Sequence, residues 1–563
     1  MTKIIKSIAY SLALVTTLGT LASCKDLSLL DETVYSELTE SNAFSTSNDA
    51  TAAVNAIYAP LISVTSSYIF SLNDLTTDDC FKSETDFELL NDGKMSSNSD
   101  VSNTWTNLYS IAGRANIAID KIPGIALSEF GTDQTAGAVL KNRLIAEAYF
   151  MRGFAYYNLS DFYYTVPLVT SSSTAVDAIL PLAGIDDIET QIDADLTAAV
   201  ANLPKKYDSN DNAGRATYGA AVGYLCRLHM RKAGRMRLAG KDATEEWNKA
   251  LVYANDILSL EGSVYNLQSK VWNIFDPTSD ASLYNNELIF AVHANANSVN
   301  GTSDIGMRFT PWLYDCGWDI FSLPLEMVWK FDKSDERYTK LIVTQYPSIY
   351  NSALTYVIPP AIEQTGSMYK ANDPSYQYEL SAAYTQKYKY TKALTYNYNT
   401  GNNMILLRLA DIILCKAEIL NELNGPTQET INLINRIRER AFQNSDHNLK
   451  LSDYSTKEAL RSAICDERMF ELNNEGVRRP DLIRMGLWKD RMDKYIAGIK
   501  QKSIYKEDNA LKSSTTGVRP DYSSMWKVYP SDLTENDVRR YFPAPKRELD
   551  LNPALSNNRK FTN

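Results

Sequence analysis

Apolar and small residues recur along most of this chain at helical spacing, in runs too long for strands. Asn48 to Ile62 predicts a first helix, with Ala52, Ala53, Ala56, Ile57 and Leu61 supplying its small and apolar positions. Val101 to Ile122 follows, with Trp105, Leu108, Tyr109, Ala112, Asn116 and Ile119 near the same spacing. Ala136 to Asp161 is the longest early run, and its mixture of small and large residues suits close packing of one helix on another. Ile188 to Leu203, Thr217 to Ala233 and Thr244 to Leu258 come next, with Thr244 ahead of Glu246 reading as a capping start. Small residues alternate with bulky ones through these segments, the pattern of tetratricopeptide-type helical hairpins, whose crossings need Ala or Gly. No strict 34-residue period survives, so the repeat is degenerate.

From Ser263 to Asn403 the periodicity fades while Pro, Gly, Asn, Ser and Tyr accumulate, and strand-like runs such as Glu287 to Val292 emerge. Such a stretch is too long for a plain loop and predicts a loop-rich lobe packed on the helices. Regular helix returns at Met404 to Leu423 and stops at Asn424-Gly425-Pro426. Gln428 to Phe442, Lys457 to Asn474 and Arg478 to Gly486 complete the helical pattern. The fold class is therefore all-α: a TPR-like helical-hairpin scaffold, at about 40–262 and 404–490, carrying a large irregular lobe at about 263–403.

The first residues read differently. Lys3 and Lys6 precede a short apolar run from Ile8 to Gly19, and Leu21-Ala22-Ser23-Cys24 follows. A basic start, an apolar segment too short to span a bilayer and small residues before the cut describe a secretory signal peptide over residues 1–23. Leu-Ala-Ser-Cys resembles the lipobox of bacterial lipoproteins, which makes Cys24 the candidate lipid attachment site and residues 24–563 the mature protein. The formal charge is −11 and becomes −13 once residues 1–23, with two lysines and no acids, are removed. An acidic chain with no lysine- or arginine-rich run is a poor partner for nucleic acid. Hydrophobic residues make up 44% and charged ones 22%, which supports a large buried core.

Candidate chemistry is sparse. Cys80, Cys226, Cys316, Cys415 and Cys465 show no CxxC pair or zinc spacing, and Cys415 and Cys465 fall on apolar helical faces. The three histidines, His229, His293 and His447, are far apart in sequence. No EF-hand spacing is present. The pattern thus implies no cofactor and no metal. Tyrosine is the more informative residue, with 35 against 17 Phe and 8 Trp, because its flat face and hydroxyl suit half-wet surfaces and ligand platforms.

Three C-terminal stretches resemble the SusD/RagB family of outer-membrane lipoproteins: Leu407 to Glu422 with Ile431 to Ala441, Ile464 to Gly486, and Phe542 to Pro553. The lipobox, Ala43-Phe44 ahead of Ala50 to Tyr58, Trp105 through Asn116 and Ala146 to Asp161 extend the likeness over nearly the whole chain. One departure is Arg478-Arg479-Pro480-Asp481, where an aromatic often precedes the Asp in relatives. The resemblance implies a surface-exposed, lipid-anchored outer-membrane protein that captures oligosaccharides, or oligopeptides in some relatives, for a SusC-like TonB-dependent transporter, and it implies no catalysis.

Glu467, Glu471 and Glu475 lie at i, i+4 and i+8, with Arg468, Arg478, Asp481 and Arg484 close by. A lipid-anchored glycoside hydrolase would use two such carboxylates as acid and nucleophile. The arginines argue instead for an ion-pair network, since they would keep the carboxylates ionised. Arg408, Asp411 and Glu418 read the same way. A sugar site needs aromatic planes for ring C–H groups and polar side chains for hydroxyls. Trp312, Tyr314 and Trp318, with Asp315 and Asp319, form the first candidate platform. Asn73 and Asp74, in the Tyr68–Asp79 loop with Asp78, form the second, and the Tyr-rich Tyr369 to Tyr398 stretch a weaker third.

Overall fold

The computed structural model describes residues 44–65, 69–75, 77–80, 92–175, 178–294, 303–310, 317–318, 320–343, 345–347, 355–357, 378–379, 383–388, 400–504, 533–534 and 537–559. The segment before residue 44, with Cys24, lies outside them, as do Trp312, Tyr314 and most of the Tyr-rich stretch. One compact unit runs from Thr46 to Asn563.

Helix α1 spans Ser47–Tyr58 and is started by Thr46, whose side chain accepts from the Asp49 amide while the Asp49 carboxylate accepts from Thr46 N–H. The expected single helix to Ile62 is broken at Ala59-Pro60, and a separate turn occupies Leu61–Val64. Pro60 has no amide hydrogen to give and its ring crowds the preceding turn. Helices α2 (Ser99–Lys121), α3 (Gln134–Tyr163), α4 (Ile185–Val200), α5 (Tyr218–Leu238) and α6 (Thr244–Leu258) follow, each packed on its neighbour in sequence from α2 to α6. Thr244 does not cap α6. The Asp242 carboxylate accepts from the Thr244 amide instead, which moves the capping acceptor two residues upstream.

After the lobe, α7 (Leu409–Asn424) packs on α6, and α8 (Gln428–Phe442) and α9 (Lys457–Leu472) pack on α7. The helical array therefore continues across the lobe as if the lobe were an insertion. Helices α10 (Arg478–Met485) and α11 (Trp488–Ile504) follow, with Gly486 ending α10 at φ +71, the left-handed cap that glycine adopts without a Cβ penalty. Among the described residues no helix is long and apolar enough to cross a membrane.

Two strands join lobe to scaffold. β1 (Leu288–Val292) pairs antiparallel with β2 (Met404–Arg408), in register Leu288 with Arg408 and Val292 with Met404. Met404 to Arg408 was expected to open a helix. Its apolar run is strand because every residue is buried on both faces and its backbone is bonded across to β1. Phe290 on β1 enters the scaffold core, with ring centroids 5.0 Å from Phe150 and 5.8 Å from Phe154 on α3. On α5, a Cβ at Gly223 would stand 2.2 Å from Leu407 Cδ2, so any larger residue there would displace the Leu407 side chain of β2.

The rest of the lobe consists of short pieces. Ile342–Val343 pairs with Tyr384–Thr385, and Gln345–Pro347, Thr355–Val357 and Tyr378–Glu379 form a small mixed sheet. Leu323, Met327, Val328, Phe331, Ile342 and Ala383 gather into a core with Met469 of α9, which seats the lobe on the scaffold.

Candidate functional site: an exposed tryptophan on an ion-pair-clamped lobe

The conspicuous charges of the sequence are structural. Arg408 Nη1 donates to Glu471 Oε1 at 2.7 Å and to Glu287 Oε1 at 2.9 Å, while its Nε reaches Glu475 Oε2 at 2.7 Å. Arg440 bonds the same Glu287 and Glu471, at 2.8 and 2.6 Å. From the lobe, Arg337 reaches Glu467 at 2.7 Å and Lys387 reaches Glu475 at 2.7 Å. All of these groups are buried. Burial opposes ionisation of Glu471, but Arg440, Arg408 and Arg337 override it and hold the carboxyl down at about 2. A carboxyl that stays ionised has no proton to give a leaving group, so Glu471 is unsuited to act as a general acid.

A second network lies deeper in the scaffold. Arg468 bridges Asp411 (2.7 Å) and Asp481 (2.6 Å), and Arg484 bridges Asp481 (2.8 Å) and Glu418 (2.7 Å). Cys226, Cys415 and Cys465 are buried free thiols nearby. Among the described residues, no group of three or more metal-ligating side chains is placed to hold an ion. The sequence named the glutamates, but Arg337, Lys387, Glu287 and Arg440 escaped it because their partners lie far along the chain.

Asn73, Asp74 and Asp78 are all bonded to the 476–478 turn. Asn73 Nδ2 donates to Gly476 O at 3.0 Å, and Asp74 Oδ2 accepts from the Gly476 amide at 2.9 Å. Asn73 is 3% and Asp74 1% exposed, so both face the Gly476 turn rather than solvent. Asp78 binds Arg478 through both oxygens, at 2.7 and 2.9 Å, which counters burial and holds its carboxyl at about 2. Asp79 lacks such a partner. Burial, then the neighbouring Asp78 charge, pushes it up to about 7 even though Arg478 pulls the other way. Asp74 is raised as well, by burial and by Asp79.

Trp318 is a different kind of residue. It is 40% exposed, and the Arg308 guanidinium lies 5.9 Å from its ring centroid. Arg308 is itself oriented by Asp304, through bonds of 3.0 and 2.8 Å. The short helix Ile305–Phe309 carries Arg308, and Trp318 N–H donates to Met307 O at 2.7 Å. A Cβ at Gly317 would stand 2.0 Å from the Thr310 carbonyl oxygen. Thr310 and Gly317, on either side of residues 311–316, therefore lie against each other. An aromatic plane beside an oriented guanidinium and carboxylate offers C–H contact together with hydroxyl donors and acceptors.

A model described as the SusD family matches residues 286–561, and one described as starch-binding associating with outer membrane matches residues 29–230. The chain belongs to the SusD family. SusD-like protein P25 of Formosa agariphila is 26% identical over 488 residues, covering 81% of this chain and 78% of the relative. A SusD-like protein of Bacteroides ovatus is 24% identical over 499 residues, with coverage of 81% and 80%. Among solved structures, a SusD homolog from Bacteroides thetaiotaomicron superposes with a TM-score of 0.72 at 22% identity, over 92% of this chain and 98% of that one. A laminarin-binding SusD-like protein gives 0.61 at 18% identity, over 86% and 98%. A structure determined with a xylogluco-oligosaccharide gives 0.64 at 20%, over 90% and 97%. These likenesses establish the SusD fold for this chain.

Proposed function

We propose that this SusD-family chain is a lipid-anchored, surface-exposed outer-membrane protein that binds oligosaccharides and passes them to a SusC-like TonB-dependent transporter. The observation that carries the binding part is the exposed Trp318 ring beside the Asp304-oriented Arg308. Neighbours of the same fold that bind laminarin or were solved with a xylogluco-oligosaccharide support a sugar as the ligand class. The outer-membrane description of the family model that matches the N-terminal part supports the location.

In this reading Trp312, Tyr314 and Trp318 form the stacking platform. Asn73 and Asp74, expected from the sequence to contact the ligand, take a supporting role instead, because both are buried and bonded to Gly476. Cys24 carries the lipid and tethers the molecule without fixing its orientation. The protein binds and does not cleave.

The test is a glycan and peptide array probed with the soluble form beginning after Cys24, alongside its Trp312→Ala/Tyr314→Ala/Trp318→Ala variant. Oligosaccharide binding by the first, and its loss in a variant that melts normally, is the expected result. Unchanged affinity in the variant would remove the platform, selective peptide binding would change the ligand class, and shortened glycan products would replace a binder with a hydrolase. Co-purification of a large β-barrel with the membrane-extracted chain tests the transporter.

A further inference from the structure

A cavity of about 610 Å³ opens in the helical scaffold, walled by α3, α4, α5, α10 and the segment around Tyr541. Trp318 and the lobe residues around it contribute nothing to its lining. The volume falls within the roughly 300–1,000 Å³ typical of small-molecule sites.

Its lining is unusual for a structural void. Tyr164 and Tyr541 pack with ring centroids 5.0 Å apart, and Tyr164 holds φ +68 and ψ −79 at the end of α3, a conformation a bulky side chain rarely adopts. Such strain is retained where the surroundings over-determine it, often at ligand sites. Arg231 lies 4.5 Å over the Tyr157 ring and spends Nη1 on the Tyr157 carbonyl, at 3.0 Å. Its Nη2, although buried, has no hydrogen-bond acceptor. Asp161, 9% exposed, comes no nearer to a described cation than 3.9 Å, from Arg231 Nη1. The cavity thus offers an unspent donor, an under-used acceptor and tyrosine rings.

That combination selects among ligands. A purely apolar occupant would leave Arg231 Nη2 and Asp161 desolvated and unpaired. An anion would meet lysine and arginine side chains as well as the carboxylates of Asp161 and Glu189, but Arg235 is already paired with Asp186 and Glu189, and Arg484 with Glu418 and Asp481. A sugar hydroxyl donates and accepts at once, so vicinal hydroxyls pair with both groups while the ring face meets tyrosine. We propose that this scaffold cavity is a second saccharide site, independent of the lobe platform, in which Arg231 and Asp161 bind hydroxyls of a neutral sugar against Tyr157, Tyr164 and Tyr541.

The test uses the full-length protein in detergent and two probes, laminaritriose and a xyloglucan heptasaccharide, each bearing a diazirine, with labelled peptides mapped after photolysis. In the Trp312→Ala/Tyr314→Ala/Trp318→Ala background, labelling of the Tyr157–Tyr164 and Tyr541 regions is expected to persist. Adding Arg231→Gln is expected to lower it at least tenfold. Tyr541→Ala, which leaves Arg231 in place, is expected to lower it severalfold and guards against a fold defect in the first variant. Labelling confined to the lobe, its complete loss in the triple variant, or indifference to both scaffold substitutions would overturn the second site while leaving the lobe reading intact. A wild-type chain labelled by neither probe would overturn both.

Discussion

Arg408, the last residue of β2, meets Glu471 on α9 at 2.7 Å, and the same guanidinium also holds Glu287 beside β1 and Glu475 beyond the end of α9. One buried side chain thereby ties the strand pair at the root of the lobe to the second half of the helical array. Arg337 and Lys387 tie more distal parts of the lobe to the same glutamates. The lobe is thus held by ion pairs that no single segment of the chain contains, and that arrangement sets the behaviour expected of several variants.

Replacing one partner should be far worse than replacing none. Glu471→Gln leaves Arg408, Arg440 and Arg337 with less countercharge inside the protein, and should destabilise by about 3–5 kcal/mol. Denaturant melts followed by circular dichroism check this. A midpoint equal to wild type would mean that the network is not what holds the lobe.

The same carboxylate gives an acid limb. Its folded pKa, about 2, lies below the ordinary value of 4.5, so its stabilisation is complete above pH 4.5 and is lost as pH falls from there toward 2. Thermal melts between pH 6 and pH 2.5 should show a falling midpoint that begins near pH 4.5. The fall should be shallower in Glu471→Gln.

Asp79 has the opposite sign. Its folded pKa of about 7 lies above the ordinary 3.8, so stability is highest below pH 4 and declines as pH rises through 7. Asp79→Asn removes the ionisation and should raise stability at pH 8, by on the order of 1–4 kcal/mol. The gain should vanish near pH 4. A variant no more stable than wild type at pH 8 would show that Asp79 is not strained by its charge.

Gly223 permits the approach of β2 to α5. Gly223→Val would push side-chain atoms into Leu407 and should cost about 1–3 kcal/mol, the range for an overpacked core. Leu407→Ala should partly rescue it in a double-mutant cycle. Failure of that rescue would place the clash elsewhere.

Trp318→Ala should separate binding from folding. The side chain is 40% exposed, so its loss should change stability by no more than about 0.5–1 kcal/mol. Oligosaccharide affinity should fall at least about tenfold, the effect of losing one anchor residue. Titration calorimetry against the best array ligand measures the second quantity, and a melt measures the first.

Much of this molecule could be read from its residues in order. Helical spacing located α1 to α10, several to within a few residues, because an amphipathic helix writes its buried face into a local period, whereas α11 (Trp488–Ile504) had no counterpart among the expected helices. The family likeness was legible for the same reason, since its motifs are contiguous stretches. Pro60 breaks the first helix where its missing amide hydrogen demands, a boundary that the sequence itself carries. Tertiary structure alone decided the rest. Met404 to Arg408 is apolar enough for either element and became a strand because Leu288–Val292 lies beside it. Asn73 and Asp74, polar and loop-borne, turned inward because the Gly476 turn, some 400 residues along the chain, offers its backbone N–H and carbonyl groups there. Glu471 is one of many glutamates until three arginines from separate segments converge on it. Periodicity and motif are properties of neighbours in sequence, whereas burial, charge pairing and cavity shape are properties of neighbours in space, and only the folded chain brings those together.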